Sequence, residues 1–121
     1  MNFTINGRLP SLNEYISRCR AGAMVGNRMK KESQEQVMAG ILEAKLQPVK
    51  HAVILKYHFF EKNTRRDLDN VSGWAHKVVQ DALVEAGILV DDSWGCVLGY
   101  QDEFEVDSRN PRIEVEIVEV I

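Results

Sequence analysis

The chain has 121 residues, 45% hydrophobic and 27% charged, which suits one domain with a single core and excludes a disordered tail. No run approaches the roughly 20 apolar residues that cross a bilayer, and the opening MNFTINGRLP lacks the basic-then-apolar order of a secretory signal. A cytoplasmic protein without a membrane partner is expected, with Cys19 and Cys96 as reduced, buried thiols because they form no zinc or disulfide pattern.

In chain order, residues 2–5 alternate, with Phe3 and Ile5 on one side, as in a first strand ending at Gly7 and Pro10. Residues 11–29 are polar and glycine-bearing and read as a short helix followed by a mobile loop. Val37, Ile41, Leu42 and Leu46 recur at helical spacing, predicting a helix over 30–46 that Pro48 closes. Residues 52–60 (AVILKYHFF), apolar on both faces for part of their length, read as a central, well-covered strand. A second main helix is expected over 70–86, capped by Asp69 or Asn70 and ended by Gly87. Residues 96–104 and 112–120 read as two last strands, joined through Asn110–Pro111. The order β-α-β-α-β-β makes residues 1–121 a single α/β (α+β) domain, a mixed sheet with two main helices.

Charge is unevenly placed along this chain. Residues 1–66 carry 12 Lys and Arg against 5 Asp and Glu, whereas residues 67–121 carry 3 against 13. Two oppositely charged faces that attract each other explain this, and so does a basic surface for a polyanion beside an acidic cluster that holds cations.

The chemistry-bearing stretch begins at RRDLDN. Asp67 and Asp69 are two apart, which in extended backbone points both carboxylates the same way. Asp91 and Asp92 follow the helix, roughly 25 Å away along it at 1.5 Å per residue. The two pairs meet only if the loops curl back or if they belong to different chains. Phosphodiester hydrolysis needs charge neutralised on phosphoryl oxygens; carboxylates do that by holding a hard divalent cation. Helix capping for the first pair and a polar turn for the second are the competing explanations. Arg65 and Arg66 stand ready for flanking phosphates. Lys77, on the Asn70 face of the helix, either reaches a phosphate or pairs with Asp81. His51, His58 and His76 show no ligand spacing and read as structural.

RRDLDN, the DAL triplet at 81–83, DDSW, and LPSLNEY with Pro10, Ser11, Asn13 and Tyr15 together resemble the RusA family of Holliday-junction resolvases over essentially the whole chain. The resemblance implies a RusA-like fold and a small homodimeric, Mg²⁺-dependent endonuclease (Mn²⁺ able to substitute) of bacterial or phage origin. Its implied substrate is branched DNA, above all the four-way junction of recombination and repair, with no small-molecule cofactor. It places catalytic acids on Asp67, Asp69 and Asp92, with Asp91 adjacent as a further metal ligand. Family members carry a functional Lys one turn after the second Asp, where this chain has Gly73; alignment from the DAL triplet moves that role to Lys77. Arg65, Arg66, Asn13, Arg18, Arg20, Arg28, Lys30 and Lys31 are the expected DNA-binding residues. A non-catalytic branched-DNA-binding dimer and a nuclease for flaps or forks are the alternatives.

Overall fold

Phe3 and Ile5 are buried on one side of β1 (Asn2–Asn6) in the computed structural model, which describes residues 1–121. Ser11 then starts α1 (Leu12–Ala21) with a reciprocal capping box: the Glu14 N–H donates to Ser11 Oγ at 3.1 Å and the Ser11 N–H to Glu14 Oε1 at 3.4 Å. Gly22 turns the chain at φ 148°, a value that favours glycine, and α2 (Ala23–Ala44) begins at once. The loop expected within 11–29 is therefore helical. Gly26 and Asn27 weaken the helix signal, but Gly26 is buried where α1 crosses α2, and a Cβ there would stand 2.7 Å from Cys19 Sγ. Cys19 is exposed and Cys96 half-buried, against the buried thiols expected, and both are free.

β2 (Val53–Glu61), α3 (Leu68–Glu85), β3 (Val97–Val106) and β4 (Arg112–Glu119) follow, so the order is β-α-α-β-α-β-β. The two main helices are joined by a third, α1. The sheet runs β1-β4-β2-β3, with β2 and β3 parallel and both β4 pairings antiparallel. No helix is long and apolar enough to cross a membrane.

The period-2 pattern of β2 puts Val53, Leu55, Tyr57 and Phe59 toward the helices, level with Ile113, Val115 and Ile117 of β4. Val37 and Ile41 of α2 and Val71, Trp74, Ala75, Val78 and Leu83 of α3 complete this core. Gly40 lets α2 lie on β1, where a Cβ would collide with the Thr4 carbonyl. β2 is central as expected, yet the helices cover only one of its faces. The other carries Lys56, His58 and Phe60 beside Glu103, Glu105, Glu114 and Glu116. Phe60 is shielded there by Arg112, 3.7 Å above its ring, and by stacking on His58 at 4.1 Å.

The α3 helix starts at Leu68, two residues before the expected Asn70, and its N-cap is Asp67. It ends as the sequence predicts: Gly87 takes φ 76°, its N–H donates to the Val84 carbonyl, and the Ile88 N–H reaches Leu83. This is a Schellman ending with Ile88 packed as its apolar contact.

Candidate functional site

Arg66 organises the start of α3. Its side chain is 15% exposed and forks onto Glu61, with Nε to Oε1 and Nη2 to Oε2 both 3.0 Å. Nη1 donates to the Leu9 carbonyl at 2.9 Å and stands 3.5 Å from Glu14 of α1. The guanidinium is thus spent inside the fold, which corrects its assignment as a phosphate contact. Glu61 escaped the sequence reading; the only sign was a carboxylate ending an apolar strand. Leu12 packs on Gly73, and Tyr15 stacks on Trp74 with centroids 3.8 Å apart. These contacts bring the LPSLNEY segment beside RRDLDN.

On the outside of that junction Asp67 and Asp69 are exposed, as is Arg65, whose side chain makes no ion pair. Asp67 occupies the N-cap position in extended conformation, but its side chain makes no capping hydrogen bond. Asp69 Oδ1 accepts only the Asn70 N–H, at 3.0 Å. Capping therefore does not account for the pair. Both carboxylates sit at the positive end of the α3 dipole, beside an unpaired Arg.

Asp91 and Asp92 are also exposed, and Asp91 Oδ1 accepts the Asp92 N–H at 2.7 Å. They lie beyond the far end of α3, whose 18 residues span about 27 Å. The Val53 N–H to Cys96 carbonyl bond ties their loop to the start of β2, whereas Asp67 follows its end. No group of three or more Asp, Glu, His or Cys side chains in one chain could hold a metal ion. Curling loops do not join the pairs, so convergence inside one chain is excluded. Each pair presents exposed carboxylate oxygens, and within one chain the two pairs stand at opposite ends of α3.

Lys77 is exposed and its Nζ pairs with Asp81 at 3.1 Å, while Lys30 approaches the same carboxylate at 3.9 Å. Position 73 is tight: a Cβ there would stand 3.2 Å from Leu12 Cδ2, so the leucine would have to shift by a few tenths of an ångström. Arg18, Arg20, Arg28 and Lys31 project from α1 and α2 without ion pairs, and Asn13 is exposed at the start of α1. The charge asymmetry leaves a basic stretch from Arg18 to Lys31, across the end of α1 and the start of α2, and an open sheet face carrying four glutamates.

The histidines each meet an acid: His51 with Glu119 at 2.9 Å, His58 with Glu105 at 2.6 Å and His76 with Asp102 at 2.8 Å. His51 holds the Glu119 carboxyl below its usual pKa. These pairs tie strands and helices together, as a structural role requires.

A family model described as endodeoxyribonuclease RusA matches residues 10–118, from the Pro10 motif through both acid pairs into β4. The chain belongs to the RusA endodeoxyribonuclease family. A comparison with curated proteins found no match. RusA proteins act on branched DNA junctions, so the substrate of this family is a polyanion. The unpaired Arg18, Arg20, Arg28 and Lys31 and the exposed acid pairs are in keeping with such a substrate.

Proposed function

We propose that this RusA protein is a divalent-metal-dependent endonuclease that resolves four-way DNA junctions as a two-fold dimer. Asp67 and Asp69 of one copy would meet Asp91 and Asp92 of the second, giving two composite sites. The observation that carries this reading is the free Asp67 carboxylate, an N-cap side chain that declines its cap bond and stays open to a ligand. Held by Asp67, Asp69 and Asp92, with Asp91 alongside, Mg²⁺ or Mn²⁺ would supply Lewis acidity toward the phosphodiester.

The chain's own cations do the rest. Arg65, two residues before Asp67, binds a phosphate flanking the cut. Arg18, Arg20, Arg28 and Lys31 track the backbone away from it, with Asn13 donating at the near end of α1. Lys77 stands eight residues, about 12 Å, along α3 from Asp69. We place it with Lys30 among the backbone contacts, because Asp81 holds both.

The test is cleavage of a synthetic four-way junction. Wild type with Mg²⁺ should nick opposed strands and lose this activity in EDTA. Asp69→Asn should lose it with Mg²⁺ present yet bind the junction undiminished. Full cleavage by Asp69→Asn, or a wild type that binds without nicking in either metal, would overturn the reading.

A further inference from the structure

The two tryptophans of this chain have opposite fates. Trp74 is 4% exposed in the core and donates to Ser33, whereas Trp94 is 94% exposed. A free indole in water forgoes the burial that makes aromatic side chains valuable. Trp94 lies two residues after Asp92, and Val90, one residue before Asp91, is 86% exposed. The loop that carries one acid pair thus also carries two unburied apolar side chains. Between it and the segment leading into β2 lies a hollow of about 210 Å³, lined by Val49, Leu89, Val90, Gly95 and Cys96 and bordered by Lys50. Lys50 is exposed and makes no ion pair; His51 beside it is taken by Glu119.

We propose that Trp94 is a base-stacking residue that selects branched DNA, with the adjoining hollow receiving part of an unstacked nucleotide and Lys50 meeting its phosphate. The inference rests on the reading of Asp91 and Asp92 as part of the nuclease site. Given that reading, Trp94 lies two residues from Asp92 in a turn, so their Cα atoms stand no more than about 7 Å apart, roughly one nucleotide. Bases in continuous duplex have both faces stacked and offer the indole nothing. At a branch point the stack is interrupted and a base face is free. Stacking of one base on one aromatic side chain contributes about 1–3 kcal/mol with little dependence on sequence. Trp94 therefore discriminates DNA shape, and it does so without reading base edges. The Asp91, Asp92 and Glu119 carboxylates nearby oppose phosphate, which leaves stacking, and Lys50, as the attractive contacts on this loop.

The experiment measures binding of the full-length protein to a synthetic four-way junction and to duplex of the same sequence, in EDTA so that no cleavage intervenes. Trp94→Ala should weaken junction binding by roughly ten-fold or more and leave duplex binding unchanged, while Trp94→Phe keeps most of the preference. Junction DNA should quench a part of the intrinsic fluorescence that Trp94→Phe abolishes, since Trp74 is buried. Equal affinity of Trp94→Ala and wild type for the junction would overturn the proposal, as would parallel losses on junction and duplex. A change of oligomeric state in Trp94→Ala, seen by sedimentation, would also overturn it by placing the indole between protein copies. Because binding is read in EDTA, a failed nuclease reading shows separately, as a wild type that never nicks with metal added.

Discussion

Tyr57 is among the largest fully buried side chains, and its hydroxyl has no hydrogen-bond partner. Burial, then the neighbouring Tyr100 and Asp102, push its pKa well above the ordinary tyrosine value, so the O–H keeps its proton and remains an unused donor. An unsatisfied buried hydroxyl costs about 1–3 kcal/mol. Tyr57→Phe keeps the ring against Phe59 and removes that group, so urea unfolding should show unchanged or slightly greater stability. A loss above about 1 kcal/mol would mean that the hydroxyl has a partner. At the same scale, residue type foretold Asp67 and Asp69 as unusual but misread Arg66. A guanidinium next to two aspartates reads as a phosphate contact until Glu61, five residues back, is seen to take its Nε and Nη2 donors.

Elements depend on a few close approaches and caps. The connection between β3 and β4 is held by Asp107, which accepts from the Arg109 and Asn110 N–H groups and pairs with Arg112 at 3.0 Å. Arg112 chiefly, with the Asn110 N–H, holds the Asp107 carboxyl below the usual range. The folded pKa is thus lower than the unfolded one. The stabilisation is complete above the unfolded value, about 4, and is lost as pH falls through the folded value. Glu119 acts in the same sense through His51. Melting temperature should therefore drop on acidification below about pH 4, and less steeply in Asp107→Asn, which already lacks the contribution at pH 6. Equal acid slopes for the two proteins would remove Asp107 from this account.

Element boundaries were partly legible. Ser11-x-x-Glu14 is a capping box that announces α1, and Gly87 announces the end of α3. The start of α2 was hidden because Gly22, Gly26 and Asn27 read as loop residues. Their value is in packing: Gly26 admits Cys19, just as Gly73 admits Leu12.

For the whole molecule, the separation of the acid pairs makes a strong statement about assembly. Asp69→Asn and Asp92→Asn are each expected to be inactive alone. In a dimer with composite sites, a mixed pair carries one site with both changes and one intact site. Mixing the two variants under subunit exchange should restore roughly a quarter of the wild-type rate, given random pairing into symmetric dimers. No recovery, with exchange confirmed by a labelled subunit, would rule out sites shared between copies.

By itself the sequence determined the strands, the apolar stripe of α3, the acid pairs and their RusA kinship, because period, residue type and short spacing are properties of neighbours along the chain. Only the tertiary structure decided that Asp67 leaves its helix uncapped, that Arg66 turns inward to Glu61, that Gly73 packs against Leu12 and that Trp94 stands in solvent. Each of these depends on what lies across the fold, and distances between residues far apart in the chain are set by packing that no local pattern encodes.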